Sequence, residues 1–247
     1  MKKMSFVMVL VALLAVVTLT GCNKEKTAKG YGLVHKDYVG VATITVEKDV
    51  VTALEFEEVY LPSHWAVLTT TDGVSEDLYV TYTNSKKQAV SVAKYIVVGG
   101  KTFTATPVEK DVKYSSSDIA DLKAWIQEAE ANAKWYAEEV MAGNAKAVDA
   151  NGAAVTFEIK AIAQAGFIKS TTGYWSGDNY PLGWKGNMEA LSKAFVGTSM
   201  DLNVENFVKA TEGDKNWTFD GIVSTATLTD AKDYYQVALN AYNTATK

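Results

Sequence analysis

Residues 38–60 read YVGVATITVEKDVVTALEFEEVY, two strand-like runs joined by a short polar turn. Tyr38–Val46 alternates β-branched residues with small or polar ones, and Val50–Tyr60 is again rich in β-branched and aromatic residues. Residues of these types fit the pleated, half-buried surface of a sheet. The EKD turn lets the chain reverse at once, so the stretch predicts an antiparallel hairpin.

Strand signals recur along the chain. Gly99-Gly100 separates two β-rich runs, and paired glycines tolerate the positive φ angles of a tight type I′ hairpin turn. The turn residues Asn151-Gly152 precede another apolar run. Beyond the first hairpin, the predicted strands are Leu78–Thr83, Val92–Val98, Lys101–Thr106 and Val155–Ile162.

Helical periodicity is strongest after the polar run Ser115–Asp118, which predicts a cap for a long helix from Ile119 to Val140 that ends at Gly143. Further helices are predicted over Met188–Phe195, Val204–Ala210 and Ala231–Thr246. The order of elements favours an α+β fold. We expect one domain over residues 30–247, with a mainly antiparallel sheet on which the long helix and the C-terminal amphipathic helix pack.

The N-terminus has the pattern of a secretory signal. Lys2 and Lys3 precede an apolar run, Phe6–Val17, that is too short to span a bilayer comfortably. The run ends in Leu-Thr-Gly-Cys, which resembles the lipobox of bacterial lipoproteins. This resemblance implies a signal peptide over residues 1–21, a lipid on Cys22, a tether over 22–29 and a membrane-anchored protein that faces outside the cytoplasm. The alternative is a free thiol at Cys22.

Composition narrows the possible partners. The net charge is −5 over the whole chain, and removal of Lys2 and Lys3 with the signal, which holds no acidic residue, makes it −7. A nucleic acid is therefore not an expected partner. All 24 basic residues are lysine, so a phosphate here would be held without the planar fork of arginine. The single cysteine excludes disulfides within the chain.

Catalytic motifs are not apparent. The two histidines, His35 and His64, have no partners at metal-ligand spacing, so we expect no metal site. No G-x-S-x-G elbow and no glycine-rich phosphate loop occurs. Glu55, Glu57 and Glu58 crowd one predicted strand and are interpreted as a solvated face. Whether the protein is an enzyme in its own right stays open.

Residues 220–230, DGIVSTATLTD, stand directly before the last predicted helix. One interpretation is helix capping, with Thr229 as the cap. The turn also resembles the flavinylation motif of FMN-binding domains, in which an aspartate precedes a Ser/Thr-Gly-Ala-Thr run. The run here is Ser224-Thr225-Ala226-Thr227, with Thr225 in place of the glycine. The segments GYGLVHKDYVGVATITV and VVTALEFEEVYLP are similar to the opening of the same family.

The resemblance implies a cofactor and a mode of attachment. In that family a separate flavin transferase esterifies the final threonine of the run to the phosphate of FMN. Here Thr227 would carry FMN, Ser224 and Ala226 would shape the turn, and Asp220 would assist recognition by the transferase. The implied function is an extracytoplasmic flavoprotein that carries electrons between redox partners. Independently, a helix start next to Thr227 favours negative charge.

A second hypothesis belongs to another functional class. Residues 163–185 are irregular and rich in glycine and aromatic residues, and such loops often grip ligands. The protein would then be a surface-anchored binding lipoprotein without a redox role, using the loop over 167–184. A self-packed lid is the alternative for this loop. Its aromatic residues are Phe167, Tyr174, Trp175, Tyr180 and Trp184.

Overall fold

A computed structural model of the protein describes residues 24–155, 157, 167–171, 182–213 and 215–247. The predicted signal peptide and Cys22 lie outside these ranges. Within them, helices combine with antiparallel sheets, and a helix closes the chain, which confirms the α+β class. None of the helices in the described ranges has the length and apolar character needed to cross a bilayer.

The first sheet is built around the predicted hairpin. Its antiparallel order is β1 (Lys26–Val34), β2 (Tyr38–Glu47) and β3 (Val50–Tyr60). The hairpin strands match the prediction closely. Strand β1 starts at Lys26, inside the segment predicted as a polar tether, because the N-terminal part of β1 pairs with the end of β2, from Lys26 with Val46 onwards. Backbone pairing makes this polar sequence a strand, although it has few apolar residues.

The C-terminal helix α5 (Ala231–Thr246) has the bounds that the periodicity predicts, and it packs across β1 and β2. The contact requires a glycine in β1. A Cβ atom on Gly30 would lie 2.3 Å from both the Ala241 nitrogen and the Val237 oxygen of α5. The absence of a side chain at Gly30 therefore lets the helix backbone approach the strand.

A second group of strands extends the fold. A two-stranded sheet pairs β4 with β5, and a four-stranded antiparallel sheet has the order β8-β7-β6-β9. The predicted strand Val92–Val98 is divided at Lys94, and the sequence did not predict β8 or β9. These strands are β4 (Tyr79–Thr83), β5 (Ala89–Ala93), β6 (Tyr95–Val98), β7 (Lys101–Val108), β8 (Asp111–Ser115) and β9 (Ala145–Val148).

The predicted long helix is two helices, α2 (Leu122–Glu128) and α3 (Glu130–Met141), separated by Ala129 in an extended conformation. The cap is Asp121, whose carboxylate accepts the N–H groups of Lys123 and Ala124 at 3.0 and 3.2 Å, and not the predicted run Ser115–Asp118. At the break, the Asn132 side chain donates to the Trp125 carbonyl at 2.7 Å. A side chain there supplies a hydrogen bond to a carbonyl near the end of the first helix.

The remaining elements surround the C-terminal turn. The prediction of a helix over Val204–Ala210 is wrong, since a single 3₁₀ turn over Val204–Asn206 is followed by a short strand. Phe207 draws this segment into the core, with its ring 4.9 Å from Tyr235 and 5.1 Å from Phe219. The elements are α1 (Pro62–Trp65), α4 (Gly183–Phe195), β10 (Phe207–Lys209), β11 (Trp217–Phe219) and β12 (Ile222–Val223). Most of the predicted strand Val155–Ile162 lies outside the described residues.

Candidate functional site

The turn that resembles a flavinylation motif lies between β12 and α5 and packs against α4. Ser224 is buried, and its hydroxyl donates to the Ala190 carbonyl of α4 at 3.1 Å. The same oxygen accepts the N–H of Ala226 at 3.1 Å, which closes a small local turn. Ala226 is fully buried, so a larger residue would not fit there. Ser224 and Ala226 therefore lie at the centre of this turn, and their part in a flavin site stays a prediction.

Thr227 is fixed through its backbone by one residue that the sequence analysis did not identify. The side-chain oxygen of Asn187, a fully buried residue of α4, accepts the N–H of Thr227 at 2.7 Å and that of Leu228 at 3.0 Å. The Asn187 amide donates in turn to the Gly183 carbonyl at 2.7 Å. The Thr227 hydroxyl is 3.4 Å from the same Asn187 oxygen, a long contact, and Thr227 is half-buried. The hydroxyl thus stands at the edge of a rigid turn.

Positive charge lies next to this hydroxyl. The Lys209 ammonium donates to the carbonyl oxygens of Thr227 and Leu228 at 2.7 and 3.0 Å, and the Trp217 indole donates to the Leu228 carbonyl at 2.7 Å. Partial burial, and then the nearby ammonium of Lys215, lower the pKa of Lys209 below its usual value. An anion near Thr227 would be attracted by the Lys209 ammonium, since opposite charges at short range favour each other.

Thr225 stands where the resembled family has glycine, and the structure accommodates it. The residue is exposed and does not adopt a positive φ angle. Since only the left-handed region penalises a β-branched side chain at this point, the turn does not require glycine at position 225.

Asp220 lies in the turn between β11 and β12, and its predicted part in recognition by a transferase stays a prediction. Its carboxylate accepts the backbone N–H of Asn203 at 2.9 Å and the Asn206 amide at 2.6 Å. These two hydrogen bonds lower the pKa of the exposed Asp220 carboxyl. The residue fixes the segment before β10, and its hydrogen bonds do not include any group of Thr227.

The start of α5 also differs from the prediction. Its N-cap is Asp230, not Thr229, and the Asp230 side chain makes no capping hydrogen bond. Asp230 contacts the His35 ring in the β1–β2 turn, and Asp233 accepts the His35 backbone N–H at 3.1 Å. Two carboxylates already lie at this helix start, so the argument that its dipole attracts a phosphate is weakened. The positive charge near Thr227 comes instead from Lys209.

A buried polar cluster lies under α4 and α5. The interpretation of three glutamates as a solvated face holds for the exposed Glu55, but it is wrong for the buried Glu58, and Glu57 is half-buried. Glu58 is fully buried, and its carboxylate binds the Lys169 ammonium and the Tyr234 hydroxyl. The Trp184 indole donates to the same carboxylate at 2.6 Å. We call Glu58, Lys169, Trp184 and Tyr234 the Glu58 cluster. Burial lowers the pKa of Lys169 and raises that of Tyr234.

The aromatic residues at the two ends of the predicted aromatic loop pack in the Glu58 cluster and in the core. Trp184 is buried in the cluster, and Phe167 stacks on buried Trp65 with ring centroids 4.5 Å apart. Trp184 is thus buried and Phe167 half-buried, and both rings pack against other parts of the protein. The other aromatic residues of that loop, Tyr174, Trp175 and Tyr180, lie outside the described residues.

Comparisons of the chain with protein-family models, with characterised proteins and with solved structures find no match. The function is therefore argued from the chemistry of the turn around Thr227.

Proposed function

We propose that the protein is a lipid-anchored, extracytoplasmic electron carrier in which the phosphate of FMN is esterified to Thr227. A lipid on Cys22 would hold it at the bacterial cell membrane, and a flavin transferase would be the partner that loads it. The redox partners on either side would be other extracytoplasmic or membrane proteins. When bound, the flavin would supply the electron-carrying chemistry, while the chain would set its position and exposure.

The main support for the proposal is that Thr227 has a fixed backbone and yet is partly open to solvent. Its backbone N–H is held by buried Asn187 and its carbonyl by Lys209, while the residue stays half-exposed. A hydroxyl that must react with a bulky donor needs a fixed position and an open approach, because proper orientation lowers the entropic cost of reaction. Thr225 and Thr229, on either side of it, are exposed and lack this support from Asn187.

The charges near Thr227 fit the chemistry of the attachment. The hydroxyl oxygen would attack the phosphorus of a donor that holds the FMN phosphate in a phosphoanhydride. A phosphoester bond forms, the anhydride bond breaks, the hydroxyl proton passes to a base of the transferase, and the other phosphate of the donor leaves. The Lys209 ammonium would stabilise the negative charge of the phosphodiester that remains, since positive groups near developing charge favour its formation.

The test is production of the protein in a host with an active flavin transferase, alongside an established substrate of that enzyme as a positive control. The expected result is protein that stays yellow after acid denaturation and carries the added mass of FMN on the peptide that contains Thr227. The variant Thr227→Ala should lose the adduct. The matched variants Thr225→Ala and Thr229→Ala should keep it, because their hydroxyls are not the attachment point.

A colourless protein, from a host in which the control substrate is loaded, would overturn the proposal. Flavin that is released by acid would show noncovalent binding and would also rule out the ester at Thr227. An adduct on Thr225 or Thr229 would place the attachment at the wrong hydroxyl and would contradict the role of Asn187 as well.

A further inference from the structure

An open groove of about 670 Å³ lies on another part of the surface, beside the first sheet. Its walls come from the β1–β2 turn, α1, the β4–β5 sheet with its turn, the β7–β8 turn and the first turn of α2. Pockets of roughly 300–1,000 Å³ are typical of small-molecule sites. The described part of the chain therefore has a concavity large enough for a small ligand at a junction of several elements.

Aromatic rings lie at and beneath the floor of this groove: Tyr82 and His64 are half-buried and face it, whereas Tyr38 and Tyr60 are buried under them, 3% and 1% exposed. The Tyr38 ring lies 5.4 Å from that of Tyr60 and 5.2 Å from that of His64, and Tyr60 and His64 are 6.2 Å apart. Tyr82 of β4, half-buried, adds a fourth ring to the lining. Aromatic faces attract other flat rings through offset or edge-to-face packing. A planar ligand is the shape that such a lining selects.

The charge of the groove differs in sign from that of the whole chain. Lys123 lies between Asp37 and Asp111, with its ammonium 2.9 and 3.4 Å from their carboxylates. The exposed lysines at the rim, Lys36, Lys86 and Lys110, form no ion pair with any residue that the structure describes. The lining holds four lysines and two aspartates, an excess of two positive charges, and an excess of one sign in a cleft raises the local concentration of ligands of the opposite sign. In a chain of net charge −5, this groove therefore attracts anions.

Two polar groups in the lining are available for specific hydrogen bonds. The Nδ1 atom of His64 is 3.3 Å from the Ser63 hydroxyl, and its other ring nitrogen has no partner in the described ranges. Burial lowers the pKa of His64, so the imidazole is neutral near pH 7. Burial, assisted by Asp111 and Asp37, raises the pKa of Tyr82 to about 12, so its hydroxyl keeps its proton. Both groups can make neutral hydrogen bonds to a ligand.

From these observations we propose that the groove binds a small aromatic anion, a planar ring that carries a carboxylate or phosphate group. The ring would pack against Tyr82 and His64, and the anionic group would face the rim lysines. Inorganic phosphate satisfies only the charge of this groove, and a neutral ring satisfies only its aromatic lining. The proposal is independent of FMN at Thr227, which belongs to a separate turn.

The test is calorimetric titration of Thr227→Ala protein, which removes the proposed flavin attachment, with four probes. The probes are 4-hydroxybenzoate, phenyl phosphate, the neutral 4-hydroxybenzamide and inorganic phosphate. We expect at least one aromatic anion to bind about tenfold more tightly than both the neutral ring and inorganic phosphate, with an affinity that falls as salt rises. The two aromatic anions distinguish a carboxylate from a phosphate ligand.

Two matched variants locate the binding. Replacement of Lys86 and Lys110 by alanine should weaken binding of the preferred anion by about fivefold or more, the scale of two exposed ion pairs. Replacement of Lys29 and Lys146, two exposed lysines of β1 and β9 outside the groove lining, should leave it unchanged. Both variants change only exposed side chains, so both should fold.

Three outcomes would overturn the proposal. One is the absence of any heat of binding when either aromatic anion is titrated up to millimolar concentration. Another is an affinity for 4-hydroxybenzamide equal to that for the tighter-binding of the two aromatic anions, which would remove the role of charge. The third is an equal loss in both lysine variants, which would show a nonspecific effect of net charge.

Discussion

The side-chain oxygen of Asn187 accepts two consecutive backbone N–H groups, those of Thr227 at 2.7 Å and Leu228 at 3.0 Å. One buried amide thereby holds the turn before α5 against the middle of α4. This arrangement explains how a turn of short polar residues can be rigid without a regular backbone ladder. Backbone groups that a loop leaves unpaired are satisfied by a side chain from another element.

Asn187→Ala should therefore destabilise the fold and disorder the turn. The change leaves two N–H groups without their acceptor, which costs about 2–4 kcal/mol in the free energy of unfolding. Urea unfolding monitored by tryptophan fluorescence measures this loss. Asn243→Ala, at an exposed position of α5, is the matched control and should change stability by less than about 0.5 kcal/mol. Equal effects of the two changes would show that the Asn187 contacts contribute little.

Glu58→Gln should be strongly destabilising, because it leaves the Lys169 ammonium buried without its carboxylate. Removal of one partner of a buried ion pair typically costs about 3–5 kcal/mol. The control is Glu55→Gln on the same strand, whose side chain is exposed. The double variant Glu58→Gln/Lys169→Met removes both charges and should recover part of the loss. A double variant no more stable than Glu58→Gln would argue against the uncompensated charge as the cause.

His64 should make stability depend on pH in the mildly acidic range. Burial lowers its pKa in the folded protein below the ordinary value of 6.5. As pH falls, the unfolded chain therefore takes up the proton before the folded protein does. The free energy of unfolding is highest above pH 6.5 and decreases between pH 6.5 and the lower pKa of His64 in the folded protein. His64→Gln should flatten this part of the profile, with a maximum effect of about 1.4 kcal/mol per pH unit.

The measurement for this prediction is the urea midpoint of both proteins at a series of pH values. The neighbouring charges of the groove, Asp37, Asp111 and Lys123, are present in both, so the difference between the two profiles isolates the histidine. Parallel profiles for the two proteins between pH 7 and 5.5 would contradict the predicted contribution of His64.

Gly30→Ala should separate α5 from the first sheet. A Cβ atom there would meet helix backbone atoms at 2.3 Å, and backbone cannot move aside as a flexible side chain can. We expect a loss of at least about 3 kcal/mol, at the upper end of overpacking effects. Gly32→Ala is the graded comparison, since its Cβ would lie 3.1 Å from a Val237 methyl group, and it should cost less. Similar thermal midpoints for both variants would contradict the close approach at Gly30.

Elements with strong local signals could be predicted from the sequence. The bounds of the β2–β3 hairpin and of α5 are close to those predicted. Alternation and helical periodicity are patterns of residues that are near one another in the sequence, so both can be recognised from the sequence alone. The break at Ala129 could not be seen, since the stripe of apolar residues continues across it. Strand β1 is not among the predicted strands, because its first residues are polar and become a strand only through pairing with β2.

The sequence by itself determined the α+β class, the main hairpin, the last helix and the hydroxyl-rich turn in front of it. Only the tertiary structure decided which residues surround that turn and which charges are buried. Asn187 meets Thr227 across 40 residues of chain, and Glu58 meets Trp184 across 126. A local pattern reports the conformation that nearby residues prefer, whereas the partner of a buried polar group is set by packing between distant elements, which no local spacing encodes.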